Sequence, residues 1–197
     1  MRLSSVLFCF VSLHMSVAFA HEETHPKSLA VAFDEMGFDL NLSYRLSKGM
    51  QSQQMRRDMD LNRDGVLDAD EQLKMKRRLV AFATFGLKVK VDGKVTVSQV
   101  DEHRIIGGSK PVNSGSSIEL RIKSRYRSPW TQKAQSLEIQ DYLPIRKTLI
   151  HGTCNPGRIS VEKCGAFSVR EGLVFQTNVR LLPLGETGVS GGGGESP

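Results

Sequence analysis

Residues 60–71 read Asp60-Leu61-Asn62-Arg63-Asp64-Gly65-Val66-Leu67-Asp68-Ala69-Asp70-Glu71, with oxygen-bearing side chains at nearly alternate positions. Carboxylates crowded onto so short a segment repel one another unless a cation compensates them. A hard divalent cation such as Ca²⁺ takes six to eight oxygen ligands at about 2.3–2.6 Å, which a short loop supplies only by curling around the ion. Asp60, Asn62 and Asp64 occupy the inward positions of such a curl, and Gly65 provides a turn that a side chain would obstruct. Val66 is expected to offer its backbone carbonyl, and Asp68 to ligate directly or through a water. Glu71 can close the sphere with both carboxylate oxygens, while Leu67 is free to pack. The competing reading, an acidic surface turn without an ion, leaves the repulsion uncompensated.

The flanks fit this chemistry. Met55 and Met59 lie four apart, and Met75, Leu79, Phe82 and Ala83 follow at helical spacing, with Lys74, Lys76, Arg77 and Arg78 on the solvated side. The segment therefore reads helix, loop, helix. It resembles the EF-hand calcium-binding family over the whole twelve-residue loop. The resemblance implies ligation by Asp60, Asn62, Asp64, the Val66 carbonyl, Asp68 and Glu71. EF-hands normally face one another in pairs, and no second such loop occurs in this chain. An unpaired, extracytoplasmic loop implies a dissociation constant of about 10⁻⁴–10⁻³ M, a structural or constitutively filled site, or pairing with a second copy in a dimer.

Other candidate chemistry is sparser. Residues 1–20 read as a cleavable signal peptide, with Arg2, an apolar stretch through Leu13 and Val17, and a closing Ala18-Phe19-Ala20. Cleavage there leaves a terminal His21, whose amine and ring could chelate copper, with His103 or His151 completing the site. A frayed polar terminus is the plainer reading. Cys154 and Cys164 remain after export, flanking Asn155-Pro156-Gly157. A structural disulfide closing a loop of about ten residues is expected, with a two-cysteine metal or redox site as the alternative. No nucleophile, base and orienting acid occur at a defensible spacing, and no glycine loop suits a phosphate. A non-enzymatic protein is expected.

The elements that must carry the loop are strands. Phe38 to Leu46 alternates with period two, as do Leu29, Val31 and Phe33. Leu87, Val89 and Val91 lead through Asp92-Gly93 to Val95 and Val97, a hairpin signal. Ile118, Leu120, Ile122 and Tyr126 form one side of a strand whose other side is Glu119, Arg121, Lys123, Arg125 and Arg127. That cationic side is expected to be solvated, with anionic envelope material as a possible partner. Leu137, Ile139, Ile145, Leu149, Ile159, Phe167, Val169, Leu173, Phe175 and Val179 mark further strands. The fold class is mostly β with a helical insert: an antiparallel β-sandwich carrying one EF-hand helix-loop-helix.

The expected organisation is a signal at 1–20, N-terminal strands at 21–49, the helix-loop-helix at 50–85, the sandwich at 86–184 and a disordered Gly-rich tail at 185–197. The order of strand, EF-hand loop, helix and Leu87-Lys88-Val89-Lys90-Val91-Asp92-Gly93 is also similar to the extracytoplasmic domain of some HupE/UreJ-type transporter-like proteins. Transport itself is not implied, because no stretch of the mature chain is long and apolar enough to span a bilayer. The net charge of +6 is diffuse and permits anionic partners without specifying them. A periplasmic or secreted location is expected, with an envelope or protein partner and no nucleic acid.

Overall fold

Period-two alternation becomes strand wherever one face can be buried. The computed structural model describes residues 27–141, 148–153, 157–162, 165–169 and 174–186. Thirteen elements follow one another in these residues. They are β1 (Lys27–Asp34), β2 (Gly37–Leu46), α1 (Met50–Met59), α2 (Ala69–Thr84), β3 (Leu87–Val91), β4 (Lys94–Val95) and β5 (Val100–Ile106). After these come β6 (Ile118–Arg127), β7 (Gln135–Asp141), β8 (Thr148–Thr153), β9 (Ile159–Val161), β10 (Gly165–Val169) and β11 (Val174–Leu181). Two sheets form, in the orders β10-β8-β1-β2-β6-β5 and β4-β3-β7-β11-β9. Pairing is antiparallel except between β1 and β8, which run parallel. The mostly β architecture with a helical insert is thus the one the alternation implies. His21, Cys154, Cys164, the signal segment and the tail beyond residue 186 lie outside the described residues, as do Ile145 and Leu173.

The inner faces of both sheets share one core. Leu29, Val31, Leu40, Leu120 and Ile122 meet Leu137, Ile139, Phe175 and Val179, and Met75, Leu79 and Ala83 of α2 join them. The same alternation exposes the opposite residues of β2 and β6. One end is closed by aromatic rings: Phe38 stacks on Tyr126 at 4.8 Å, and Trp130 Nε1 donates to Gly37 O at 3.1 Å. Gly37 has no substitute there. Its φ is +141°, and a Cβ would lie 2.1 Å from Tyr126 O. A buried ion pair also bridges the sheets, with Lys27 Nζ 2.8 Å from Asp141 Oδ2. Burial holds the Lys27 pKa below its ordinary value, against the pull of Asp141.

Two expectations need correction, and one strand had no expectation. The second hairpin arm shrinks to Lys94–Val95, because Val95 and Val97 are both exposed and nothing rewards longer pairing. The turn itself is as Asp92-Gly93 suggests, with φ of 50° and 76°. Strand β5 carries no period-two signature, because four consecutive polar residues, Asp101 to Arg104, separate Val100 from Ile105 and Ile106, and it sits at a sheet edge. Phe82 is half exposed, not a core residue. It lies against Tyr44 with ring centres 5.7 Å apart.

Tyr44 is buried, and burial pushes its phenol up to about 12. The unfolded phenol ionises near 10, so the unfolded state loses its proton first as pH rises. The stabilisation is complete below pH ~10 and disappears as the folded phenol ionises near 12, a loss of about 2–3 kcal/mol. Denaturant titrations of the parent and of Tyr44→Phe across this window should diverge, with the variant lacking that decline. Parallel curves would remove the assignment.

Candidate metal centre

Helix α1 stops where its last amides find partners. Asp60 N donates to Arg56 O at 3.0 Å, and the chain then leaves helical geometry. From there the side chains organise the curl two residues at a time. Asn62 Oδ1 accepts from Asp64 N at 3.0 Å, and Asp64 Oδ1 accepts from Val66 N at 2.8 Å. These are Asx turns, in which a short polar side chain substitutes for a backbone turn. Asp60 Oδ2 closes the curl by accepting from Gly65 N at 3.1 Å. Gly65 has a φ of +85° with open space where a Cβ would be, so its requirement is conformational rather than steric.

Asp68 then caps α2. Its carboxylate accepts from Glu71 N at 2.8 Å, and Glu71 Oε2 accepts from Asp68 N at 3.1 Å, a reciprocal capping box. The other Glu71 oxygen reaches across the loop to Leu61 N at 2.7 Å and Asn62 N at 3.3 Å. Glu71 is therefore a buried carboxylate held by three backbone amides, one from each of three loop positions.

The residues expected to ligate divide as follows. Asp60, Asn62, Asp64, Asp68 and Glu71 lie on one curl and share a hydrogen-bond system, while the Val66 side chain is exposed. Among the described residues, no three His, Cys, Asp or Glu side chains are gathered as a ready-made cage. The reason is visible in the bonds just described: the carboxylates point at the loop's own amides. No ion pair to Asp60, Asp64, Asp68 or Glu71 occurs among the described residues either. One atom breaks the pattern of satisfied oxygens. Asp60 Oδ1 is buried and has no hydrogen-bond partner. An orphaned carboxylate oxygen inside a loop of uncompensated carboxylates suits a hard cation, so the donor set fits calcium.

The buttress begins with Leu67, which packs as its apolar side chain suggests; the bonds around it carry no sequence signal. Leu67 is buried in the core, and Gln72 Nε2 donates to Leu67 O at 2.8 Å. Val112 N donates to Gly65 O at 3.0 Å, joining the curl to the segment between β5 and β6. Arg56 fixes that same segment. Fully buried, it donates from Nη1 to Ser114 O and Ser116 O at 2.8 and 2.9 Å, and from Nη2 to Gly107 O at 2.7 Å. Burial without a carboxylate lowers its pKa, yet an arginine stays protonated. Its neighbours Met55 and Arg57 give no hint of this role, since an arginine on an amphipathic helix reads as solvated.

His21, on which the copper reading rests, lies outside the described residues, and the backbone places its two alternative partners far apart. His103 on β5 and His151 on β8 are four strand spacings apart, roughly 19 Å. The cationic side of β6 is laced with acids: Arg121 lies 2.6 Å from Glu119, and Arg125 lies 2.6 Å from Asp34 and 3.2 Å from Asp39. These contacts hold the Asp34 and Glu119 carboxyls below the ordinary carboxylate range, chiefly through their arginine hydrogen bonds. No helix of the described residues is long and apolar enough to cross a membrane. Comparison with family models, curated proteins and solved structures finds no match to this chain.

Proposed function

We propose that the chain is an exported, non-enzymatic calcium-binding protein whose 60–71 loop ties an α1–α2 pair to a β-sandwich that serves as a structural or partner-binding module. The observation that carries this reading is the buried, unpartnered Asp60 Oδ1 in a loop whose ligand carboxylates make no ion pair among the described residues. Asp60, Asn62, Asp64, Asp68, Glu71 and the Val66 carbonyl would hold the ion. Calcium would supply the positive charge that no ion pair brings to these carboxylates. Glu71 already spans the loop, bonding residues 61 and 62 at its start and residue 68 near its end, so it is positioned to join the two helices. Arg56 and Val112 hold the curl against the sheet, so an ion there would stabilise more than its own loop.

The test is thermal melting of the purified protein with increasing calcium. A ligand that prefers the folded state raises stability by mass action. With a dissociation constant of about 10⁻⁴–10⁻³ M, 10 mM calcium adds roughly 1.4–2.7 kcal/mol, or about 3–10 °C in Tm for a domain of this size. Magnesium at the same concentration should do much less, because its smaller ion demands near-ideal octahedral geometry. No calcium-dependent shift, with no bound metal on analysis, removes the reading.

A further inference from the structure

Strand β5 closes one end of the six-stranded sheet and pairs with β6 on one side only. Its other edge presents unpaired N–H and C=O groups, a template for a further strand. Helix α2 leaves that edge open. A cleft of about 410 Å³ lies between helix and strand, and His103 and Ile105 on the inner face are only half-buried. On the outer face Glu102 and Arg104 are exposed, and neither makes an ion pair among the described residues. Glu102 faces Lys123 in the β5–β6 register, but Arg104 stands directly opposite Arg121. Like charges facing one another across a strand pair are destabilising. Within its own sheet, then, Arg104 is a liability.

Charge on an edge strand ordinarily turns other strands away. Here both signs occur on one face, on either side of His103, and that spacing is complementary to itself. Antiparallel pairing of β5 with a second copy, centred on His103, sets Glu102 against Arg104 of the second copy. The two-fold axis repeats the same pair on its other side, as an isologous interface requires. Each Arg104 thereby gains a carboxylate on the side away from Arg121. A shift of two residues either way brings Arg104 onto Arg104 or Glu102 onto Glu102, so the charges select one register. We infer that the protein self-associates as a symmetric dimer through its β5 edges, which join two six-stranded sheets into one. A single strand pair buries less than a standard protein interface, so the dimer is a weak one.

Sedimentation equilibrium of the full chain from about 1 μM to 1 mM, the range of weak association, should show a reversible monomer–dimer equilibrium. Arg104→Glu makes both cross-copy pairs repulsive and should weaken association at least tenfold, although it relieves the contact with Arg121. Glu102→Arg should do the same from the other side. Combining the two substitutions restores both pairs with their signs exchanged, and association should recover most of the loss. His103→Cys supplies the register. Opposed strand residues lie about 4.5–5.5 Å apart, within disulfide reach, so mild oxidation should join position 103 to position 103 of the second copy. Mass spectrometry of the linked peptide reads this directly. A chain that stays monomeric to about 1 mM, or a dimer that Arg104→Glu leaves intact, overturns the proposal. So does a double variant that fails to recover, which would mean that the charges act on the strand and not across the pair. Dimerisation without the 103–103 link overturns it too, and would place the interface elsewhere, as in a dimer that pairs the 60–71 loops.

Discussion

Glu71→Gln is expected to lower calcium affinity at least tenfold and to lower the calcium-free Tm only modestly. The amide can still accept hydrogen bonds at the third helical position, where glutamine also serves in capping boxes. Its single oxygen can serve Asp68 N or the Leu61 and Asn62 amides but not both sets, so one side of the bridge is lost in the calcium-free protein. What disappears is the charge, and with it the bidentate oxygen pair that a hard cation prefers. A tenfold loss corresponds to about 1.4 kcal/mol, so the rise in Tm at 10 mM calcium should fall to about half or less of the parent's. Glu71→Ala should lose affinity similarly and melt lower still without calcium. It removes half of the capping box, typically worth about 1 kcal/mol, and leaves the Leu61 amide without its partner. Asp60→Asn provides the complementary measurement, since it keeps an acceptor for Gly65 N and discharges the orphaned oxygen. If Glu71→Gln titrates like the parent, the loop is an acidic turn and calcium belongs elsewhere or nowhere.

The parts of this molecule legible in its sequence are those governed by local periodicity. Alternation over Phe38 to Leu46 sufficed for β2, because its buried face needs every second residue apolar and its exposed face tolerates Asp39, Asn41 and Arg45. The helix break at Met59 and restart at Ala69 follow from the loop composition, since Asp, Asn and Gly favour turns and caps over helix interiors. Long-range placement was not legible. The parallel β1–β8 pairing joins residues more than a hundred positions apart, and nothing in either strand encodes a direction. Strand β5 has an edge position and charged residues, which keep an edge from pairing indiscriminately with other chains but erase the apolar signature of a strand. Among the candidate ligands, residue identity gave the loop; the amides that hold Glu71 could be seen only once the curl was folded. Lys27 and Arg56 are the clearest failures of the pattern, because a charged residue is read as exposed until its partners are known.

Arg56 also carries the largest stability effect expected from a single side chain outside the loop. Its guanidinium makes hydrogen bonds to four carbonyls, those of Ser52, Gly107, Ser114 and Ser116, and to Ser116 Oγ at 3.1 Å. No carboxylate shares the site, so the fold tolerates this cation only because converging carbonyl dipoles replace its hydration. The carbonyls depend on the arginine in turn. Gly107 has a φ of +81°, and its carbonyl and those of Ser114 and Ser116 belong to an irregular segment with few ladder bonds of its own. Arg56→Ala strands several buried acceptors at about 1–3 kcal/mol each before relaxation. It also opens a cavity at a fully buried site, so a net loss of about 3–5 kcal/mol is expected in denaturant unfolding. Arg56→Lys should recover little, because a single ammonium cannot span acceptors on both sides of the fork. The position of the damage distinguishes this account from a general loss of packing. Hydrogen exchange should accelerate first in residues 107–116, and calcium affinity should fall too, since Val112 then loses its hold on Gly65 O. Exchange that quickens uniformly across both sheets, with calcium affinity unchanged, would mean that the arginine supports the core and not the loop.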